Sequence, residues 1–597
     1  MRNKKIVATS ALIAAVGLTA AACSSSGSSG SGGNGGGTAA AYNAALTGVV
    51  NASTSQGNSV VYNESSSMDS IDPGNTYEAM AWDLVRTYDR TMLAFQQKPG
   101  AAGLQVVGDL ATGLGTPSNG AKTWTYHIVP NAKFSDGTTI TTADIKYAIE
   151  RSNWGHEVLS NGPSYFKALV QDNTKYQGPY KDTTAGDGVS GIETPNATTI
   201  TFNLNQPFAD FDYLMTMSQT APVERSKDKG ATYYQNMVFS GAYQVQSYTP
   251  DKQLVIVPNS NFDAGSDPNG LHKVHAKKIT LNFKVAATTV DQSVVHGQAQ
   301  IDSGGRGVQT ATQSQILSNP TLKANADDAL NGFETYLAIN TQLTPFTNID
   351  CRKAVEWAIN KQQVQTVDGG AVGGGQIATT LLPTANTGYA QSDIYKTPAE
   401  QGDVDKAKQE VATCKAALGS AYNPSFAIAS YSQSDDPKAV AAADVVQQNL
   451  NNIGFNVSID QFPFSSLNST YAGLPSYAQA HRIGMTVYAW GADFPTGYGY
   501  MDQILTKDGI NQGGGTYDLS YWDDPTFDGY VNQAQAETNA SNRAADYAKA
   551  DQYAMTQAVI VPLLYQTALL YRSPSATNVY FSEAYGMYDY SMIGSTN

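Results

Sequence analysis

Residue patterns that would carry out catalysis are missing from this 597-residue chain. No serine stands in a Gly-x-Ser-x-Gly arrangement, and His156 has no second histidine four residues later, so neither a nucleophile elbow nor a zinc-protease pair is present. Residues 115–122 place two glycines at P-loop spacing, but Ala121 occupies the position of the phosphate-binding lysine. Gly265 and Ala276 stand where a calcium loop needs its first and last ligands. These patterns predict no catalytic centre, no metal and no cofactor.

The three cysteines are a second possible source of chemistry. Cys23 lies at the end of an N-terminal apolar stretch, whereas Cys351 and Cys414 lie deep in the chain. With Cys23 set aside, the count is even, and an even count in an oxidising compartment favours a disulfide between Cys351 and Cys414. Two separately buried thiols are the alternative.

The first 22 residues have the layout of an export signal. Basic side chains at the start are followed by an apolar stretch over residues 6–18, which is short for a bilayer span, and by alanines at 20–22. Cys23 directly after these alanines resembles the lipobox of bacterial lipoproteins, in which the thiol is acylated and becomes the mature N-terminus. An ordinary secretory signal with a chance cysteine is the alternative.

Residues 24–37 consist of serine and glycine with a single asparagine, a composition with nothing to bury. We therefore expect the segment 23–54 to be a lipidated cysteine followed by a flexible tether. The protein is predicted to be exported and held by its lipid at the outer face of the cytoplasmic membrane.

The composition narrows the class of partner. The formal charge is −15 with only 15% charged residues, and an acidic surface argues against nucleic acid or anionic lipid as partner. No long uncharged apolar run follows Leu18, so no transmembrane helix is predicted. The chain has 35 tyrosines against 18 phenylalanines, which suits a wet ligand cleft because tyrosine combines an apolar ring with a polar tip. Compositional drift in an exported protein explains the same excess.

Strand-like alternation and helix-like spacing mix along the chain without a fixed repeat, which predicts an α/β or α+β fold of two or three lobes. Strands are predicted over 59–62, 124–128, 200–204, 254–258, 279–285, 483–490 and 559–570. Helices are predicted over 79–93, from a capping box at Thr141 and Asp144, from a cap at Asp350, and over 403–418, 439–453 and 546–559.

A series of short segments in a fixed order resembles the family 5 extracytoplasmic solute-binding proteins of ABC importers, the oligopeptide- and dipeptide-binding proteins. The most specific is 132–145 (AKFSDGTTITTADI), which is similar to the family signature kFsDGtpltAeDv at every anchor position. The other matching segments are 70–73 (SIDP), 108–111 with 124–126 (GDLA, WTY), 239–243 (FSGAY), 297–302 (GQAQID), 336–340 with 351–355 (YLAIN, CRKAV), 490–495 (WGADFP) and 561–565 (VPLLY).

The resemblance implies an α/β fold of two lobes that close on a ligand by a hinge motion, with an extra subdomain inserted in lobe I. The chain is expected to cross between the lobes at about 284–287 and 559–562. The implied domains are lobe I from 55–75, 206–288 and 558–597, the inserted subdomain from 76–205, and lobe II from 289–557.

The resemblance further implies a short peptide as ligand and the membrane permease of the importer as partner. Asp493 is similar to the family aspartate that neutralises the peptide α-amine. Trp490 and Tyr488 alternate along one predicted strand, and we expect them to line the cleft together with Ala492 and Phe494. Core packing for Trp490, and capping of the following turn for Asp493, are the alternatives.

Two other functions remain open from the sequence. Relatives bind oligosaccharides, nickel chelates, haem or opines, so the same transport role for a non-peptide ligand is the first alternative. A secreted hydrolase with a pair of carboxylates is the second. We expect a monomer without enzymatic activity.

Overall fold

The computed structural model describes residues 38–182, 188–433 and 435–597. The predicted signal peptide 1–22, the predicted lipidation residue Cys23 and the serine- and glycine-rich residues 24–37 lie outside the described residues.

The described elements are numbered here in chain order. The β-strands are β1 (Ser59–Asn63), β2 (Leu93–Phe95), β3 (Val106–Gly108), β4 (Thr116–Ser118), β5 (Thr123–His127), β6 (Ile192–Asn196), β7 (Thr199–Asn203), β8 (Tyr243–Thr249), β9 (Gln253–Pro258), β10 (Lys278–Asn282), β11 (Ile301–Asp302), β12 (Ala326–Ile339), β13 (Gln376–Ile377), β14 (Ser425–Tyr431), β15 (Asn456–Phe462), β16 (Ile483–Gly491), β17 (Ile560–Tyr571), β18 (Ala576–Thr577), β19 (Phe581–Ser582), β20 (Met587–Tyr588) and β21 (Gly594–Ser595). The α-helices are α1 (Ala44–Thr47), α2 (Ala79–Tyr88), α3 (Thr142–Trp154), α4 (Tyr165–Leu169), α5 (Phe211–Leu214), α6 (Ala287–Val295), α7 (Thr310–Ser318), α8 (Pro320–Lys323), α9 (Ile349–Ala358), α10 (Lys361–Asp368), α11 (Val404–Leu418), α12 (Pro437–Asn452), α13 (Phe464–Thr470), α14 (Pro475–Ala480), α15 (Gly497–Leu505), α16 (Pro525–Ala536) and α17 (Ala540–Gln557).

A five-stranded sheet forms around β1, with the spatial order β11-β1-β10-β9-β8. β1 pairs in parallel with both β10 and β11, so the carboxyl ends of these three strands lie at one edge of the sheet. β9 and β8 extend the sheet by antiparallel pairing. Val60 and Tyr62 are fully buried on one face of β1, as the period of a half-buried strand requires.

A six-stranded sheet has the order β13-β17-β12-β16-β14-β15. Its two longest strands, β12 and β17, pair antiparallel with a shift in register between Leu330 and Glu334. One half of this ribbon packs in the apolar core of the five-stranded sheet, through Ala329 and Ala568. The other half packs with β16 in the second large core, through residues such as Tyr336. The ribbon therefore joins the two largest apolar cores of the described residues.

A four-stranded sheet, ordered β4-β5-β7-β6, confirms two of the strands predicted from alternation. Trp124 on β5 pairs with Phe202 on β7, and both side chains are buried. Helix α3 follows this sheet's first hairpin and starts with the predicted capping box, in which the Asp144 carboxylate accepts a hydrogen bond from the Thr141 backbone N–H at 2.8 Å.

The structure differs from the sequence-based elements at one end of each of two helices. The helix predicted over 79–93 ends at Tyr88, and Leu93 begins β2. Helix α9 is capped by Asn348, whose side chain accepts from the backbone N–H of Asp350, so Asp350 lies in the first turn instead of at the cap. Asparagine and aspartate are both good N-caps, so the sequence does not distinguish Asn348 from Asp350 as the cap.

The predicted tether 23–54 is too long at its C-terminal end. Residues 38–54 pack on the folded body, because Ala45 and Val50 are apolar and become fully buried. The backbone N–H of Ala45 donates to the Asp327 carboxylate at 3.0 Å, and Val50 forms a β-bridge with Val579.

Two strands also cross the predicted lobe boundaries. β11 falls within the range predicted for lobe II, yet it pairs with β1 in the five-stranded sheet. β17 falls within the range predicted for lobe I, yet its first half pairs with β12 in the six-stranded sheet.

Cys351 at the start of α9 and Cys414 near the end of α11 are joined by a disulfide, with their Cα atoms 5.3 Å apart. The bond fixes these two helices against each other. Of the helices in the described ranges, none has both the length and the apolar composition required to cross a bilayer.

Candidate ligand-binding site

Asp493 lies two residues after the end of β16, where the chain turns into helix α15. Its side chain is half-buried and accepts two hydrogen bonds from tyrosine hydroxyls, from Tyr77 at 2.7 Å and from Tyr165 at 2.5 Å. The tyrosines come from segments more than 300 residues earlier in the sequence. The carboxylate therefore bridges distant parts of the chain.

The charge of Asp493 is not balanced by a cation. Within the described part of the chain, Asp493 forms no ion pair, and its two partners are neutral hydroxyls. Burial raises the pKa of Asp493 to about 6, although the hydrogen bonds from Tyr165 and Tyr77 act in the opposite direction. An ammonium group placed here would favour the ionised carboxylate and so oppose this shift.

Three aromatic side chains lie near Asp493. Tyr488 on β16 is buried and donates to the Asn468 side-chain oxygen at 3.0 Å. The Trp490 ring, two residues along the same strand, lies 5.3 Å from the ring of Tyr517. Burial raises the pKa of Tyr517, and the negative charge of Asp493 raises it further, which places Tyr517 close to this carboxylate. Tyr488, Trp490 and Tyr517 thus form an aromatic group in which Tyr517 is the member next to the carboxylate.

Trp490 has one unusual property for a core residue. Its indole Nε1 is buried and has no hydrogen-bond partner among the described residues. A buried donor without an acceptor costs free energy, so Trp490 is a candidate donor to a ligand oxygen or to an ordered water.

Phe494 and Ala492 flank the carboxylate but differ in environment. Phe494 is buried; its ring stacks on Tyr213, with centroids 6.0 Å apart, and lies 5.7 Å from the ring of Tyr165. Ala492 is half-buried and packs against the same core. Tyr165 therefore contacts Phe494 through its ring and Asp493 through its hydroxyl.

A second group of contacts also joins distant parts of the chain. Asp210 forms an ion pair with Arg543 at 2.8 Å and accepts a hydrogen bond from the Tyr547 hydroxyl at 2.9 Å. Phe208 packs edge-to-face on Tyr498 with ring centroids 4.8 Å apart. These contacts hold the segment around α5 against helices α15 and α17.

Sequence reasoning selected Asp493, Tyr488 and Trp490 but not Tyr77, Tyr165 or Tyr517. The high tyrosine content was the one signal for such residues, and a composition does not say which tyrosines lie at the site. No group of three or more histidine, cysteine, aspartate or glutamate side chains in the described ranges is arranged to hold a metal ion.

Comparison with known proteins gives a consistent result. The model of the bacterial extracellular solute-binding proteins, family 5 Middle, matches residues 105–512. The chain is 24% identical over 511 residues to the probable D,D-dipeptide-binding periplasmic protein DdpA of Escherichia coli (strain K12), covering 84% of this chain and 87% of that protein. It is also 24% identical over 511 residues to the oligopeptide-binding protein OppA of Bacillus subtilis (strain 168), covering 80% and 84% of the two chains.

Solved structures show the same fold. The clavulanic acid biosynthesis oligopeptide binding protein 2 superposes with a TM-score of 0.88 and 32% identity, covering 94% of this chain and 99% of that chain. The unliganded open form of the periplasmic murein tripeptide binding protein MppA gives a TM-score of 0.67 with 18% identity, covering 91% and 98%. The protein has the two-lobe α/β architecture of these periplasmic binding proteins. The chain belongs to the bacterial extracellular solute-binding proteins of family 5.

Proposed function

We propose that this protein captures short peptides outside the cytoplasmic membrane and delivers them to the permease of an ABC importer. The observation that carries this proposal is Asp493, a half-buried carboxylate that has no cation partner among the described residues. Burying the charged α-amine of a peptide without a counter-ion is costly, so a binding site for free peptides needs such a group. The names of the relatives, which include oligopeptide- and dipeptide-binding proteins, support the same ligand class.

In this proposal the amine of the ligand binds Asp493, and the remainder of the peptide lies along the aromatic group Tyr488, Trp490 and Tyr517. The indole Nε1 of Trp490 donates to an oxygen of the ligand or of a bridging water. Rings of this kind give apolar contact that tolerates varied peptide side chains.

The binding cycle uses movement between the two lobes. We assign the hinge to the β12–β17 ribbon, because it joins the core of the five-stranded sheet to the core that contains β16. Gly332, in the left-handed region at a φ of 82°, lies at the register shift of this ribbon. The hydrogen bonds of Tyr77 and Tyr165 with Asp493 belong to the closed arrangement.

Anchoring through Cys23 completes the proposal. Acylation of Cys23 would hold the receptor near the permease, since a stable lipid anchor needs two acyl chains or one chain plus basic residues, and residues 24–37 contain no basic residue. Cys23→Ser is expected to move the protein from the membrane fraction to the medium. Continued membrane association of this variant would exclude lipidation at Cys23.

The ligand class is tested by native mass spectrometry of the purified protein, followed by calorimetry with the identified ligand. We expect co-purified masses that correspond to short peptides, and binding of synthetic peptides with a free N-terminus. Co-purification of an oligosaccharide, haem or metal chelate, together with failure of a mixed peptide library to bind, would refute the peptide proposal.

A further inference from the structure

A cavity of about 340 Å³ lies beside β8, the strand at one edge of the five-stranded sheet. Residues from the segment 234–239 form one side of the cavity, and residues 245–248 of β8 form the other. Sites for small molecules typically have volumes of about 300–1,000 Å³. None of the lining residues belongs to the candidate site around Asp493, so the cavity is a separate space that is large enough for a ligand.

A β-bulge in β8 shapes this cavity. The register between β8 and β9 shifts between Val245 and Ser247, so Gln246 is an extra residue without a partner on β9. A regular strand turns successive side chains to opposite faces, whereas a bulge redirects them, and bulges occur preferentially at sheet edges and next to functional sites. The bulge accounts for four consecutive residues of β8 lining the same cavity.

Aromatic rings provide the walls of the cavity. The rings of Tyr234 and Tyr248 are nearly perpendicular, at 88°, with their centroids 5.8 Å apart. Aromatic pairs prefer offset stacking or edge-to-face contact with centroids about 4.5–7 Å apart. A ligand ring can therefore stack on one tyrosine while it presents its edge to the other. Met237 and Phe239 add buried apolar surface, and methionine sulfur makes favourable contacts with aromatic rings.

The polar groups that line the cavity are uncharged. Gln246 and Ser247 are exposed and contribute an amide and a hydroxyl. Gln235 donates through Nε2 to the Tyr234 hydroxyl at 3.0 Å. No charged side chain is among the described residues that line the cavity. Because burying a charge without a partner is costly, this lining favours a neutral ligand with a hydrogen-bonding group.

The volume sets the size of that ligand. An apolar cavity of about 150 Å³ is known to hold benzene. The cavity beside β8 is about twice as large, so it has room for two fused rings or for one ring with a substituent. Displacing poorly ordered water from apolar walls favours binding.

We propose that this cavity is a second ligand site, which binds a small, uncharged aromatic molecule with a hydrogen-bonding substituent. The ring lies between Tyr234 and Tyr248, and the substituent bonds to the amide of Gln246 or the hydroxyl of Ser247. This site goes beyond the proposed peptide-binding function and does not depend on it.

The test titrates the purified protein at about pH 7 with two matched pairs of probes, followed by ligand-observed NMR. We expect 2-naphthol and 2-naphthamide to bind with dissociation constants of about 1 mM or below. Decahydro-2-naphthol keeps the hydroxyl but has no aromatic ring, and it should bind at least about fivefold more weakly than 2-naphthol. The charged 2-naphthoate should bind at least about tenfold more weakly than 2-naphthamide.

Substitutions locate the bound ring. Tyr234→Ala and Tyr248→Ala should each weaken 2-naphthol binding at least about fivefold, because each removes one ring contact. Both tyrosines are half-buried, and thermal unfolding checks that each variant is folded. Tyr530→Ala is the matched control, because Tyr530 is also half-buried and pairs edge-to-face with Tyr553 on another helix, and it should leave the affinity unchanged.

The candidate peptide site contains aromatic rings of its own, so a further variant separates the two sites. Tyr517→Ala should leave 2-naphthol binding unchanged. A loss in Tyr517→Ala without a loss in Tyr248→Ala would assign the ring to the site around Asp493 and refute the proposal.

Other results would also overturn the proposal. Absence of saturable binding of both aromatic probes up to about 1 mM would refute it. An affinity that stays within about twofold in either Tyr234→Ala or Tyr248→Ala would refute the two-ring arrangement. Should these variants fail to fold, the probes alone decide: equal binding of 2-naphthol and decahydro-2-naphthol, or of 2-naphthamide and 2-naphthoate, would exclude a site for neutral aromatic ligands.

Discussion

Asp493→Asn is expected to weaken peptide binding and to remove its dependence on pH. Burial raises the pKa of Asp493 to about 6 in the protein without ligand. A bound α-ammonium group favours the ionised carboxylate, so binding is coupled to loss of the proton and weakens as pH falls through 6. About nine tenths of the carboxylates are ionised at about pH 7 and about one tenth at about pH 5, so the affinity for tetra-alanine should fall about tenfold over this interval.

The variant itself should bind weakly at about pH 7 and with little further change on acidification. Removing one partner of a buried, hydrogen-bonded charge pair costs about 2–5 kcal/mol. Because Asp493 is half-buried, we expect the lower end of this range, which corresponds to roughly a 30-fold loss of affinity. Asparagine keeps the size of the side chain and a carbonyl oxygen that accepts from Tyr77, so the fold should be preserved.

Calorimetry with free and N-acetylated tetra-alanine, on the unmodified protein and on Asp493→Asn, gives the four affinities of a double-mutant cycle. The two losses should be strongly non-additive, because both changes remove the same contact. Additive losses, or tight binding of the acetylated peptide, would exclude Asp493 from the amine site. Asp502, whose pKa burial raises to about 7, is a neighbouring group that could titrate instead. A pH dependence that persists in Asp493→Asn would identify Asp502, and not Asp493, as the group that titrates.

Three further perturbations test other parts of the structure. Tyr77→Phe removes a hydrogen bond that lowers the pKa of Asp493, so the midpoint of the pH dependence should move above 6; an unchanged midpoint in the same calorimetric series would contradict that contact. Cys351→Ala opens a disulfide spanning 63 residues and should lower the free energy of unfolding by about 4 kcal/mol in denaturant titrations, whereas unchanged stability would show that the bond constrains little. Arg151 is fully buried and donates to both oxygens of Asp72, at 2.8 and 2.9 Å. Arg151→Met should therefore lower the free energy of unfolding by about 3–5 kcal/mol. A decrease below about 1 kcal/mol in thermal unfolding would show that the pair contributes little to stability.

Local patterns in the sequence predicted local structure well. The alternation through Trp124 and Phe202 was enough to place β5 and β7, and the capping box at Thr141 gave the first turn of α3. These features depend on neighbouring residues, so the information lies in a short stretch of sequence. The end of the tether was missed because Ala45 and Val50 become buried only against distant residues such as Val579.

The candidate site was only partly accessible from the sequence for the same reason. Asp493 was identified because its segment resembles a family motif. This motif locates the carboxylate of the site but not the residues that donate to it. Its donors Tyr77 and Tyr165 lie 416 and 328 residues away, and no periodicity connects positions at such separations.

In the proposed binding cycle, the hydroxyls of Tyr77 and Tyr165 also affect how fast a ligand enters and leaves. Both hydroxyls donate to one carboxylate oxygen of Asp493, Oδ2, so an amine that pairs with this oxygen has to displace them, and that step slows association below the diffusion limit. The apparent dissociation constant is the intrinsic one divided by the fraction of molecules that are free to bind, and a protein that is open about one tenth of the time binds about tenfold more weakly. The same closure delays escape once a ligand is inside. Slow entry with slower exit gives a long residence time, which is what the proposed capture and delivery of a ligand requires.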